Sequence, residues 1–169
     1  MSQEINKKME TLIRGWGLPK VLKEQGDNID FKFDSHGIVL AENEQSYGCY
    51  GENTKFCLYN TKDKKVLFIM DFFKMHPATA FFRTGSEEVI KLELLYVCDE
   101  SLRKQGIASY YIEKLQNYAI NTGIEWICVE ANPNAKYFKD DSKEKALEEK
   151  ELKEFYLKKS NDKIPIKLV

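Results

Sequence analysis

The sequence predicts a mixed α/β domain, and three observations carry that prediction. First, the stretch from Ile90 to Ala131 reads as strand, glycine-containing turn, helix, strand. Lys91–Val97 is an apolar-rich strand and Arg103-Lys104-Gln105-Gly106-Ile107-Ala108 is the turn. Ala108, Tyr111, Ile112, Leu115 and Ala119 then recur at helical spacing until Gly123. Trp126–Val129 follows, too short a run for a helix. Second, Phe56–Tyr59 and Val66–Met70 flank Asn60-Thr61-Lys62-Asp63 as a hairpin. Third, Ile5, Met9, Leu12 and Ile13 share one helical face near the N-terminus.

The remaining elements follow in order. The first helix is expected to break at Gly15-Trp16-Gly17, and Pro19 to open a short second helix carrying Val21 and Leu22. Phe31 and Phe33 alternate with charged residues. With Ile38-Val39-Leu40 they suggest a hairpin turning at Gly37. Glu42 to Asn53 is polar and reads as an irregular loop, and Phe81-Phe82 as a short strand after His76-Pro77. Beyond the turn Asn132-Pro133-Asn134 and a charged connection, Ala146, Leu147, Leu152, Phe155 and Tyr156 form a loose helical stripe among alternating Glu and Lys. Ile164–Val169 is a terminal strand that Pro165 confines to an edge or a strand end, and such an edge is a candidate homodimer contact.

Composition narrows the function classes. The 169 residues suit one domain, 1–169. They carry 26 basic and 27 acidic side chains, a net charge of -1 that argues against a surface built for nucleic acid. Cys49, Cys57, Cys98 and Cys128 form no CxxC pair and no zinc-spaced cluster with His36 or His76, so reduced, buried thiols and no metal are expected. The first residues lack the apolar core of a signal peptide, and no apolar run is long enough to span a membrane. A cytoplasmic location is the expectation.

The chemistry concentrates at the turn. A glycine turn that opens a helix exposes backbone N–H groups without intrahelical partners, and the helix dipole adds partial positive charge. The N–H groups of Gln105 to Ser109 therefore suit a phosphate, with Gly106 permitting close approach and Arg103 and Lys104 screening the charge.

Glu93-Leu94-Leu95-Tyr96-Val97, the short acidic loop Cys98–Leu102, and Arg103-x-x-Gly106-x-Ala108 together resemble the acetyl-CoA signature of the GNAT superfamily of N-acetyltransferases. The likeness extends to Trp126–Val129, Asn132 and Phe155-Tyr156, roughly the C-terminal half. It implies a mixed, twisted sheet of about six or seven strands with helices on both faces. It also implies acetyl-CoA as co-substrate, with Leu95, Tyr96 and Val97 holding pantetheine as an added strand would. Gln105, Gly106, Ile107, Ala108 and Ser109 would hold the pyrophosphate.

In that family a strand glutamate often serves as base and a tyrosine on the last helix as acid; here these match Glu93 and Tyr156. Partial burial would raise the Glu93 pKa usefully. Asn132 to Tyr156 is longer than the usual spacing, which points to an insertion at Lys136 to Lys145 and makes Tyr137 a rival to Tyr156. The implied activity is acetyl transfer to a primary amine of a small molecule or peptide. The alternatives are a non-catalytic CoA-binding sensor and an acyltransferase acting on a protein or aminoacyl-tRNA amine, the tRNA version disfavoured by the charge. Trp16, Phe73, Phe81 and Phe82 are candidates for lining the acceptor pocket.

Overall fold

A computed structural model describes residues 4–40, 44–130 and 149–168. The first helix, α1 (Lys7–Trp16), is capped by Asn6, whose side-chain oxygen accepts from the Met9 N–H at 3.0 Å. It runs through Gly15 and stops at Gly17, where φ is +72°. A single turn, α2 (Lys20–Lys23), follows Pro19. The strands β1 (Ile29–Lys32), β2 (Gly48–Tyr50), β3 (Asn53–Asn60) and β4 (Lys65–Lys74) come next. The β3–β4 turn is tied by Asn60 Oδ1, which accepts from the backbone N–H of Lys62 and Asp63 at 3.0 and 2.9 Å. After α3 (Pro77–Thr84) come β5 (Val89–Val97), α4 (Ile107–Asn121), β6 (Trp126–Val129), α5 (Glu149–Lys159) and β7 (Ile166–Leu168).

The described strands form one mixed seven-stranded sheet in the order β1-β3-β4-β5-β6-β7, with β2 also paired to β3. β1 through β5 pair antiparallel, whereas β5, β6 and β7 are parallel to one another. The right-handed strand–helix–strand crossover of α/β units accounts for the parallel half. Pro165 stands just before the edge strand β7, as its missing N–H requires.

Helices α1, α4 and α5 cover one face. There Phe56, Phe68, Tyr111, Ile13, Leu92, Ile127 and Tyr156 share a single apolar cluster. Phe68 stacks on Tyr111 with ring centroids 4.8 Å apart, and the Tyr111 hydroxyl donates to the Gly17 carbonyl at 2.9 Å, pinning the end of α1 to α4. On the opposite face Tyr47, Cys57, Ile69, Leu94 and Tyr96 form a second cluster, and α3 contributes Ala80 to a third with Met75, Val89 and Cys128.

Three expectations are corrected. Ile38–Leu40 is not a strand; the chain does turn at His36-Gly37, but β1 pairs with β3 instead. Phe81 and Phe82 lie on a helix, because Pro77 at its first position and Gly85 in the left-handed conformation after its end favour α3. The supposed loop from Glu42 contains β2, which Gly48–Tyr50 form against the edge of β3. Trp16 belongs to the core, stacked on Phe72 at 6.3 Å, and Phe81 and Phe82 are exposed on α3.

Candidate active site

The site begins where the described β5–β6 ladder ends. Among the described residues β5 pairs with β6 from Val89 to Leu92, whose partners are Trp126 to Val129. From Leu94 to Val97 β5 is held by β4 alone, and no described strand occupies its other side. Among the described residues that half-strand therefore presents an open edge of backbone groups, with the Val97 carbonyl taken by Arg103 Nε.

A bulge precedes the open edge. The β4 register passes from Phe72↔Leu92 to Asp71↔Leu94 and leaves Glu93 without a partner. One extra residue reverses the side-chain alternation. Ile90 and Leu92 point to the helix-covered core before the bulge, and Leu95 and Val97 do so after it. Leu94 and Tyr96 are thereby turned to the opposite face.

A cleft of about 460 Å³ runs along the open edge, walled by Leu95, Tyr96, Val97, the turn through Gly106, the first turn of α4, and Leu152, Phe155 and Tyr156 of α5. The helix start has an unusual backbone. Lys104 and Gly106 both adopt positive φ, 62° and 90°. Gly106 caps α4 without any side-chain bond. The first helical acceptor is the Gly106 carbonyl, which takes the Tyr110 N–H at 2.9 Å. Among the described residues, the backbone N–H groups from Lys104 to Ser109 find no acceptor. Alternating left-handed residues before a helix start form such an anion-binding concavity.

The predicted residues are placed unevenly. Leu95, Tyr96, Val97, Arg103, Lys104, Gly106, Ile107, Ala108 and Ser109 all border the cleft, as does Tyr156. Gln105 is exposed beside it and its side chain donates to the Ser101 carbonyl. The Arg103 guanidinium does not extend over the turn as expected. It folds back, donating from Nε to the Val97 carbonyl at 2.9 Å and from Nη2 to the Tyr96 hydroxyl at 3.0 Å. Asn132, Tyr137 and the supposed insertion lie outside the described residues.

Glu93 needs a correction. Its expected burial is absent: the side chain is 42% exposed and pairs with Lys91 Nζ at 2.9 Å. The bulge pushes it out of the regular alternation.

Tyr156 is buried, with 5% exposure, and among the described residues its hydroxyl has no hydrogen-bond partner. Desolvation pushes the phenol well above its ordinary pKa, so it stays protonated at neutral pH.

The sequence reading passed over Asp71. It lies in β4 between Lys55 and Leu94, its ladder partners on either side. Burial pushes its carboxyl up to about 6; the nearby Glu93 charge adds to the rise and Lys55 opposes it. Its signal was visible as the one acid inside the apolar run Val66–Phe73. Lys55 is itself buried, bound to Glu44 at 3.5 Å and to the Gln45 carbonyl at 2.7 Å.

Comparison with known proteins adds no relative: no family model, no curated protein and no solved structure matches the chain.

Proposed function

We propose that this protein is a GNAT-like N-acetyltransferase that moves the acetyl group of acetyl-CoA to a primary amine by direct attack. The observation that carries the reading is the edge of β5 left unpaired by described residues beyond Leu92, bordering one cleft with the start of α4, which no side chain caps. An extended pantetheine arm suits the open edge at Leu95–Val97, where it adds as a strand would. A pyrophosphate suits the N–H groups from Gln105 to Ser109. The largely apolar wall of Leu152 and Phe155 suits the arm's hydrocarbon portions.

The chemistry follows from what lies between these points. The neutral amine nitrogen attacks the thioester carbonyl carbon, the carbon–sulfur bond breaks, and the sulfur leaves as thiolate. One proton passes from the amine to a base at the β5 bulge, where Glu93 and Asp71 both lie. The thiolate needs a donor, and the Tyr156 hydroxyl is protonated, without a partner among the described residues, and in the cleft.

Two measurements test this. Calorimetry with acetyl-CoA is expected to show one site per chain. A thiol-release assay with acetyl-CoA and a panel of primary amines is expected to show turnover with at least one. Absence of acetyl-CoA binding would overturn the proposal. Binding without thiol release would favour a sensing module.

A further inference from the structure

We infer that a second pocket, at the end of α4 away from the cleft, is a binding site for a small organic cation, an ammonium group on a short apolar body. This site is separate from the proposed acetyl transfer and does not depend on it.

The pocket encloses about 200 Å³ between α1, the C-terminal end of α4, the end of β4 and the start of β5. Met9, Phe72, Ile90 and Ile124 give it an apolar part, and Glu52, Lys74 and Tyr118 stand with them on the wall. It lies on the helix-covered face, since Phe72 and Ile90 belong to the core cluster there. Ile90 precedes Leu95 of the cleft by about 17 Å along β5. A short amine seated here therefore cannot reach a thioester at the open edge. The room is less than a drug-sized ligand needs, so the body is a few carbons long.

The charges favour a cation. Lys74 is the cation of the wall and is already committed, with its Nζ 2.9 Å from Glu88. Glu52 is exposed and makes no ion pair among the described residues. It stands beside Lys74, whose backbone N–H donates to the Glu52 carbonyl at 3.3 Å. Two carboxylates thus face one ammonium, and an added cation restores the balance where an added anion is repelled. Burial raises the Tyr118 pKa and the Glu52 charge adds to the rise, against the opposing effect of Lys74. The phenol therefore stays neutral, and its oxygen can accept from an ammonium N–H.

The helix and the rings point the same way. α4 ends at Asn121 and is capped by Thr122, which is also on the wall. The last carbonyls of a helix carry partial negative charge, as its first N–H groups carry positive. The same helix that offers donors to the cleft offers its negative end here. Phe72 and Tyr118, with ring centroids 6.4 Å apart and planes tilted by 56°, place two aromatic rings in the wall. Aromatic rings attract an ammonium and give an anion no such gain.

The test is a proton–nitrogen NMR titration of the full chain with n-butylammonium, 1-butanol and butanoate, which share a body and differ in charge. n-Butylammonium is expected to bind with a Kd on the order of 1 mM, shifting the amide signals of Glu52, Tyr118 and Thr122. 1-Butanol is expected to bind about tenfold more weakly, and butanoate not to shift these signals. E52Q, at an exposed position before β3, is expected to weaken n-butylammonium about tenfold, and K74M is expected not to weaken it. Equal affinity for the three compounds overturns the site, as does unchanged affinity in E52Q or loss of binding in K74M. Shifts confined to residues of the cleft also overturn it and leave the acetyl transfer standing. Absence of acetyl-CoA binding overturns the transfer and leaves this site standing.

Discussion

Arg103 is bonded back to the end of β5: its guanidinium donates to the Val97 carbonyl at 2.9 Å and to the Tyr96 hydroxyl at 3.0 Å. It also lies over the Tyr96 ring, 5.3 Å from the centroid. The residue thus fastens the turn before α4 to the open edge of β5, setting the distance between the two halves of the cleft. A lysine carries the charge but cannot make this forked contact. Both R103A and R103K are therefore expected to weaken acetyl-CoA binding about tenfold, with a stability loss of about 1–2 kcal/mol. Calorimetry and urea unfolding check this. Rescue of binding by R103K would mean that charge alone matters and that the fastening is incidental.

Gly106 separates backbone conformation from steric room. Its φ is +90°, yet a Cβ added there meets nothing within 4 Å. G106A should strain the backbone by about 1 kcal/mol and turn the N–H groups ahead of α4 out of line. Gly85 has the same character, with φ +81° and open space, but it caps α3 and does not line the cleft. G85A is therefore the control. Both variants are expected to lose about 2–4 °C in Tm, while only G106A loses acetyl-CoA affinity. Equal affinity in the two variants would detach the helix start from phosphate binding.

Tyr156 is the sharpest test of the leaving-group chemistry. Because its hydroxyl has no hydrogen-bond partner among the described residues, Y156F should change stability by less than about 0.5 kcal/mol. On the proposed mechanism kcat falls about 100-fold while acetyl-CoA affinity holds, since the donor matters only once charge develops on sulfur. The raised pKa places the phenol's own titration above the working range, so the shape of the rate profile between pH 6 and 9 should not change. Steady-state kinetics in parallel with calorimetry decides it. An unchanged kcat would remove Tyr156 from the chemistry.

Much of this arrangement is legible without coordinates, and the exceptions have physical causes. The stretch from β5 through α4 to β6 announces itself because strand, turn and helix periods change at Val97 and Gly106, and chemistry and local structure agree there. The bulge at Glu93 does not. Leu94-Leu95-Tyr96-Val97 is apolar at every position, so either phase of alternation buries hydrophobic side chains, and the run gives no sign of the shift. That hidden residue is what turned Glu93 outward. The helix α3 was obscured by Phe81 and Phe82, which favour strands, although Pro77 and Gly85 mark both its ends. Asp71 was passed over because no motif contains it. Its meaning comes only from the strands on either side, and strand neighbours are a property of the register.

The elevated proton affinity of Asp71 has a consequence for stability that activity measurements do not share. Its folded pKa, about 6, lies above the 3.8 of an exposed aspartate. The folded state therefore holds a proton that the unfolded chain has already released between those values. The sign follows: this group favours folding most below pH 3.8, and that contribution is lost as pH rises through 6. At pH 8 the ionised, desolvated carboxylate costs the fold on the order of 1–3 kcal/mol relative to a group with no shift. D71N has nearly the same shape and no charge to desolvate, so it should be more resistant to urea than wild type at pH 8 and lose that advantage at pH 4. If D71N is instead destabilised at both pH values, the carboxylate is a structural member of the sheet whose loss costs more than its desolvation.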